Sequence, residues 1–563
     1  MIFFITVFGL GRVLFRILVI NAIQNGFAKF LLILSLGCIS ILWISVSLVL
    51  LGRIHPNIFF YGSRALPWIS GCVLILEAVR LVRYGHRARV LRSLSVLGVL
   101  LFVPVLFLRL GFISDLLLPL YDDSPEHYMI VQDLVDPLFT REDSFYSLGS
   151  ISENYYHLGF HFLSAWFSAS SGLEIARSIM LLGQIFVFLS VPFLAFLILV
   201  LTEDYRGATA SGFCAALAWE MPAFAVNWGK YPAVVGIALF PAAVGILVVL
   251  LRNQSPKSHN WIACLAIILG EGLLHTRLFV CLGILGGVYL LLMILPLKGG
   301  ERLLQIVMVA GGFSILWLFR NSLMVFYANG YFIPLILILV LLPLAVKEFH
   351  RVTFLIVLST LGLSVASRVP LGLEGYGAFL MNAQFLEILL YIPLASLVGV
   401  GMAGLFKQEF RFSNWIKRAA VILVVVVLLF DFPSKRSLYP DSCCTYVNQS
   451  DLQAIHWIRS QSSLDSTIWI PAFKPGKYKI GTDAGIWIPA LANRNANKLP
   501  YEYDWKVYSA RETLCQVYYG EVYVYAGSTQ FSFDVTTLEA VEWLELTFSS
   551  GGTRIYAAAC KDQ

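Results

Sequence analysis

Two adjacent carboxylates, Asp122 and Asp123, follow directly after a long apolar stretch of the chain. Such a pair can take a proton from an attacking hydroxyl group while orienting a partner, or it can bind a divalent cation such as Mg²⁺ or Mn²⁺ through its hard oxygens. A solvated loop is the structural alternative, because Asp-Asp-Ser-Pro also suits a turn. We take Asp122 and Asp123 as the candidate catalytic residues, with metal binding left open.

A second polar group lies in the aromatic stretch that begins at Tyr155. His157 and His161 are four residues apart and would share one face of a helix. A zinc-protease motif would place Glu directly after the first His, but Leu158 stands there. We expect these histidines to bind a phosphate or another loop rather than zinc, with a purely structural role as the alternative.

Cationic and polar residues recur at the ends of later apolar segments. Arg can bind a phosphate through a bidentate fork, and Lys binds one as a point charge. The alternative for each residue is that its side chain merely reaches the membrane interface as an anchor. The candidate substrate-binding residues are Glu126, His157, His161, Lys230, Tyr231, His275, Arg277 and Arg320.

The composition shows which elements must position these residues. Of the 563 residues, 58% are hydrophobic and 13% are charged, whereas soluble domains carry about 25% charged residues. Apolar runs of roughly 20 residues, enough to cross a bilayer, recur up to about Phe432. We expect an all-α domain with about 13–14 transmembrane helices. The net charge of +6 is small for this length and gives no reason to propose nucleic-acid binding.

The loop charges predict the orientation in the membrane. One alternating set of connections holds fifteen Lys and Arg residues and the other holds four. By the positive-inside rule, the basic set is cytoplasmic. The loop 114–177 and everything after Pro433 are then extracytoplasmic, and the stretch 155–171 would not cross the membrane fully. We predict a multi-pass protein of the plasma or inner membrane.

The sequence divides into two domains. Residues 1–433 form the multi-spanning domain, and residues 434–563 form a small α/β domain, here called the tail domain. Its predicted elements are a helix over 451–460 with a capping box at Ser450, strands at 467–470, 518–525 and 553–557, and a helix from Thr536. Cys443, Cys444, Cys515 and Cys560 can form disulfides if this domain is extracytoplasmic.

This arrangement resembles the GT-C superfamily of membrane glycosyltransferases, which includes protein mannosyltransferases, the lipid A aminoarabinose transferase and oligosaccharyltransferases. The shared features are Asp122-Asp123 after a spanning segment, the aromatic element Tyr155–His161 and the outer C-terminal domain. Many relatives carry a Tyr/His-Pro-Pro motif at the second position, where this chain has Leu158-Gly159. The stretches 228–232, 275–277 and 483–494 resemble bacterial membrane proteins described as GT-C-like.

The resemblance implies transfer of a hexosyl or pentosyl group, with inversion, from a polyprenyl-phosphate donor to a glycan, lipid or protein acceptor at the outer face of the membrane. Asp122 or Asp123 would be the general base, and Lys230, His275 and Arg277 would neutralise the leaving phosphate. Three alternatives stay open: a transporter or flippase for lipid-linked saccharides, a polysaccharide polymerase or ligase, and a non-catalytic scaffold.

Overall fold

The chain folds into a helical domain and a smaller α/β domain. The structure is a computed structural model that describes residues 1–18, 26–83, 96–136, 156–252, 258–294, 310–311, 317, 319–328, 333–371, 379–408, 413–429, 436–473, 479–507, 509–515 and 520–560. The predicted fold class, an all-α membrane domain followed by a small α/β domain, is confirmed.

The helical domain contains fifteen α-helices of seven residues or more within the described ranges. They are α1 (Ile2–Ile17), α2 (Gly26–Ile54), α3 (Pro56–Arg83), α4 (Val96–Phe112), α5 (Ser124–Val135), α6 (Gly159–Ser171), α7 (Ile175–Thr202), α8 (Tyr205–Leu217), α9 (Tyr231–Leu251), α10 (Ser258–Leu274), α11 (Arg277–Ile294), α12 (Ile333–Ala366, kinked at Phe349), α13 (Ala383–Leu389), α14 (Tyr391–Lys407) and α15 (Ser413–Leu429).

Six helical segments within the described residues are long and apolar enough to cross a membrane: α2, α3, α7, α9, α11 and the α13–α14 pair. The chain is therefore a multi-pass membrane protein. Several of the other expected spans are represented by shorter apolar helices, such as α10. The count of 13–14 spans stays a prediction, because parts of those segments lie outside the described residues.

Helix α6 does not have the length of a spanning helix. It has 13 residues, which corresponds to about 20 Å at 1.5 Å per residue, whereas the hydrocarbon core is about 30 Å thick. It is nevertheless almost fully buried in protein, from Gly159 to Ser168. That residues 155–171 do not cross the membrane fully stays a prediction.

The tail domain is built on one sheet. Its strands are β1 (Thr467–Phe473), β2 (Ile480–Gly481), β3 (Asn495–Pro500), β4 (Val522–Ala526), β5 (Leu544–Ser550) and β6 (Thr553–Ala558). Strands β3, β1 and β4 are parallel, β6 and β5 continue the sheet antiparallel, and β2 pairs with the end of β1. Helices α16 (Gln449–Gln461), α17 (Ile488–Ala492), α18 (Ser509–Cys515) and α19 (Val535–Glu539) complete the domain.

The predicted helix at residue 451 exists, but a different residue caps it. Asn448, not Ser450, is the N-cap of α16: its side chain accepts from the Asp451 N–H, and the Asp451 carboxylate accepts from the Asn448 N–H. The reciprocal pair is a capping box shifted by two residues. Both Asn and Ser can cap a helix, so composition alone does not choose between them.

The tail domain packs on helix α5. Trp487 is fully buried, as expected for a core residue, and its ring makes an edge contact with Tyr128 of α5 at 5.8 Å. Met129 of α5 belongs to the same apolar cluster as Ile455 and Ile470 of the tail domain. The start of α5, which directly follows the acidic pair, is therefore held between the helical domain and the tail domain.

Candidate active site

Asp123 forms an ion pair with Lys230 at the point where α5 begins. The Lys230 ammonium group donates to a carboxylate oxygen of Asp123, and the two side chains remain 21% and 29% exposed, respectively. Gly229 brings them together: its φ is +64°, and a Cβ there would lie 3.0 Å from the Ser124 hydroxyl oxygen. Glycine adopts such a backbone at no steric cost. A solvent-accessible carboxylate is thus held beside a cation.

Asp122 has a different partner. Both of its carboxylate oxygens lie 2.9 Å from Nζ of Lys498 in β3, and one accepts from the Gly481 N–H at 3.1 Å. Burial raises the pKa of the Asp122 carboxyl above its usual range, and the Lys498 charge opposes that rise. This carboxylate therefore joins α5 to the tail domain.

Two buried histidines lie near Asp123. Nδ1 of His127 is 3.0 Å from Nε2 of His161, and Nε2 of His127 is 3.1 Å from the carbonyl oxygen of Gly229. A carbonyl oxygen only accepts, so His127 carries its proton on Nε2 and His161 donates to its Nδ1. Burial lowers the pKa of His127 to about 4. His127 is therefore neutral at pH 7.

Four rings form a column next to His161. Tyr156, His157, His275 and Phe385 follow one another with centroid separations of 4.4, 4.1 and 4.4 Å. Nδ1 of His275 accepts from the Arg277 backbone N–H at 3.3 Å. Burial lowers the pKa of His157 to about 3, and the charges of His127 and Arg277 act in the same direction. We call His127, His157, His161 and His275 the imidazole cluster.

The beginnings of four helices meet at this cluster. His127 lies in α5, and His161 lies in α6, whose Phe160 stacks on Tyr231 at the start of α9. Helix α11 begins at Arg277, two residues after His275. The N-terminus of a helix carries partial positive charge and free N–H groups, so it favours anions. Together with Lys230 and Arg277, these helix ends make the site suited to a phosphate.

The segment that leads into the tail domain binds the loop that precedes Lys230. Glu220 accepts backbone N–H groups from Arg436 at 3.2 Å and Ser437 at 2.6 Å. The side-chain oxygen of Asn227 accepts from the Asp441 N–H at 2.8 Å. We call residues 436–448 the connecting segment. Its binding to the 220–229 loop fixes the loop that carries Gly229 and precedes Lys230.

The side chains at this site do not form a metal-ligand set. Within the described ranges, no three His, Cys, Asp or Glu residues are grouped so that they could hold a metal ion. Each carboxylate of the acidic pair is engaged by a different lysine, Lys498 for Asp122 and Lys230 for Asp123. The donor set therefore does not fit a shared Mg²⁺ or Mn²⁺.

Most of the residues predicted as site residues come together here. Asp123, Lys230, His157, His161 and His275 lie around the cluster described above, with Arg277 beside His275. Glu126 is partly buried in the first turn of α5. Tyr231 is fully buried and packs against Phe160 and His127. Arg320 is exposed and lies over the ring of Trp317 at 4.5 Å.

Three residues at or near this site were not predicted from the sequence. His127 lies four residues after Asp123, a spacing that would have placed both on one helix face. Lys498 has no local signal, because it meets Asp122 across 376 residues of chain. Glu271 is buried in α10 one turn before His275, and neither of its carboxylate oxygens has a hydrogen-bond partner among the described residues.

Comparisons with known proteins give one structural match to report. No protein-family model matches the chain, and no curated protein matches it. The chain is similar in part to the cryo-EM structure of the arabinofuranosyltransferase AftD from Mycobacteria, with 12% sequence identity and a TM-score of 0.40. The match covers 72% of this chain and 36% of that chain, so this chain spans about a third of the length of AftD. A likeness at this level carries no argument about activity.

Proposed function

We propose that the protein is an inverting glycosyltransferase of the GT-C kind, moving a hexosyl or pentosyl group from a polyprenyl-phosphate donor to an acceptor hydroxyl at the outer face of the membrane. The observation that carries the proposal is the accessible carboxylate of Asp123, held beside Lys230 at the meeting point of several helix N-termini. It supplies both a base and an anion-binding surface in one place.

The reaction would proceed by direct displacement. The acceptor oxygen forms a bond to the anomeric carbon while the bond from that carbon to the phosphate oxygen breaks. The proton of the acceptor hydroxyl goes to the Asp123 carboxylate, and the phosphate leaves with the bonding electron pair. Lys230, Arg277 and the helix ends would stabilise the added negative charge on that phosphate.

The imidazole cluster would support this chemistry without taking the proton itself. His127 is buried and its pKa lies at about 4, so it adds no positive charge that would draw the Asp123 carboxylate away from the acceptor. Its contacts with His161 and the Gly229 carbonyl fix the end of the loop before Lys230. We assign the cluster a positioning role.

The polar groups lie together at helix ends, which favours sugar transfer over transport of a lipid-linked saccharide. A transporter would place its binding residues near the bilayer midplane in broken helices. In this chain the acidic pair, Lys230 and the imidazole cluster lie at helix ends, next to the connecting segment of the tail domain. A site at the membrane surface suits a lipid-linked donor whose phosphate lies at the interface.

The test compares the two members of the acidic pair. Purified wild type, Asp123→Asn and Asp122→Asn are supplied with polyprenyl-phosphates carrying labelled hexoses or pentoses and a mixture of glycan, lipid and peptide acceptors. We expect Asp123→Asn to lose about 10²–10⁴-fold in transfer and Asp122→Asn to lose far less. NMR of the product tests inversion, and insensitivity to EDTA is expected. Equal transfer by wild type and Asp123→Asn would overturn the assignment of the base.

A further inference from the structure

A pocket of about 330 Å³ lies between the connecting segment and the tail-domain loops around Thr482 and Phe531. Pockets that bind small organic ligands begin at about this size. None of the residues that line it is charged. The site described above is strongly charged, so the two are chemically distinct.

The lining is rich in hydroxyl and amide groups. Hydroxyls come from Ser442, Thr445, Thr482, Ser528 and Thr529, and amides come from Asn448 and Gln530. The hydroxyls of Thr445, Thr482 and Thr529 donate to backbone carbonyls, so their oxygens keep the capacity to accept hydrogen bonds from a ligand. The Asn448 amide caps α16 and donates to the Ser528 hydroxyl. Such neutral acceptors match a ligand that itself carries many neutral hydroxyls. A lining without charge gives no advantage to a phosphate, a uronate or a basic peptide.

Two aromatic residues line the pocket. Tyr446 is largely buried, whereas the side chain of Phe531 is 41% exposed. An exposed ring offers a flat apolar face to the C–H face of a pyranose or furanose ring, at little cost in side-chain entropy. Hydroxyls and amides around one exposed ring form the pattern that a saccharide requires.

Residues next to the lining on both sides of the pocket bind the segment that carries the acidic pair. Cys444 of the connecting segment accepts at its carbonyl from the Tyr121 N–H at 3.1 Å. On the other wall, Thr482 follows Gly481, whose N–H donates to Asp122. Tyr121 and Asp123 are two residues apart, at most about 7 Å along the chain. The pocket is therefore within a few sugar units of Asp123.

We propose that this pocket binds a neutral saccharide, the acceptor glycan, and directs its hydroxyl end towards Asp123. The proposal rests on the proposed function for the role of acceptor, but the binding itself does not depend on catalysis. It deepens that function by choosing a glycan over a lipid or protein as the acceptor class.

Binding is measured with the full-length protein in detergent or nanodiscs. The probes are neutral oligosaccharides of two to six units built from mannose, glucose, galactose or arabinose, with an oligogalacturonate and a basic peptide as comparison ligands. We expect at least one neutral oligosaccharide to bind and both charged probes to fail. No binding by any neutral oligosaccharide, or tighter binding of a charged probe, would overturn the proposal.

Variants locate the binding. Phe531→Ala and Gln530→Ala are expected to weaken binding of that oligosaccharide at least tenfold, whereas Leu546→Ala, a tail-domain variant outside the pocket at a residue of similar exposure (46%), should not change it. Unchanged oligosaccharide binding in both pocket variants would show that the oligosaccharide does not bind in this pocket. Circular dichroism and proteolysis of each variant exclude a loss of fold as the cause.

Asp123→Asn separates the two proposals. It should bind the oligosaccharide as wild type does, even when it transfers no sugar. If wild type transfers no sugar but the oligosaccharide binding is lost in Phe531→Ala, the proposed function fails and the saccharide site stands. If transfer occurs and its acceptor KM is unchanged in Phe531→Ala, the proposed function stands and the acceptor site fails.

Discussion

The ammonium group of Lys498 lies 2.9 Å from both carboxylate oxygens of Asp122. One residue further on, Asp123 binds Lys230 of the helical domain. Two neighbouring carboxylates therefore have separate tasks: Asp122 holds the tail domain in place, and Asp123 faces the site. Each task can be tested with its own measurement.

Removing the cation from the first pair should loosen the tail domain. In Lys498→Met the Asp122 carboxylate stays mostly buried (14% exposed) without its counter-charge. We expect the contact to weaken by about 1–3 kcal/mol. Limited proteolysis at the connecting segment and hydrogen exchange in β2 measure the effect. Lys506→Met, at an exposed lysine of the same domain, is the control, and equal protection in both variants would contradict the prediction.

The cations near Asp123 should determine the affinity for the donor phosphate. Lys230→Met and Arg277→Met are each expected to raise the donor KM about tenfold, because each removes a charge-assisted contact of roughly 1.5 kcal/mol. Wild type should also show a KM that rises with salt. Arg206→Met, which changes an exposed arginine at the start of α8, should leave KM as it is. A tenfold rise in the donor KM of Arg206→Met as well would show that the effect comes from the overall charge of the protein.

Acidification should destabilise the protein through His127. Its pKa is lowered to about 4 in the folded protein from about 6.5 in the unfolded chain. Between these values the unfolded chain binds more protons, so stability is full above pH 6.5 and declines as the pH falls towards 4. At pH 5 this histidine lowers the free energy of unfolding by on the order of 1–2 kcal/mol relative to its value above pH 6.5.

The pH effect can be isolated with His127→Gln, in which the amide can still donate to the Gly229 carbonyl. The thermal unfolding midpoint of wild type should fall more between pH 7 and pH 5 than that of the variant. His456→Gln, at an exposed histidine of α16, should behave as wild type does. If His127→Gln and wild type lose the same amount, His127 does not cause the acid sensitivity.

The tail-domain disulfide gives a test of orientation. Cys515 and Cys560 are bonded across 45 residues, and disulfides persist in oxidising compartments. We expect a membrane-impermeant maleimide to label these cysteines in intact cells only after mild reduction. Serine at both positions should abolish that part of the label. Labelling that requires permeabilised membranes would place the tail domain in the cytoplasm.

The sequence predicts those features that depend on residue type and local spacing. Apolar runs predict the helices, and the concentration of Lys230, His275 and Arg277 at helix ends indicates where an anion would bind. The different roles of Asp122 and Asp123 are not predictable, because both carboxylates carry the same local signal and only Lys498, far along the chain, distinguishes them. His127 is missed because a single histidine in a polar loop usually has no assigned role.

The connection between Asp122 and Lys498 also orders events during synthesis. The ribosome makes the acidic pair and the whole helical domain before it reaches Lys498, which follows Asp122 by 376 residues. Glu220 and Asn227 likewise bind the connecting segment, which is synthesised after them. A chain that stops before Lys498 leaves Asp122 and Asp123 without these supports, so the proposed site is complete only in a protein whose tail domain has been delivered to the same side of the membrane as the acidic pair.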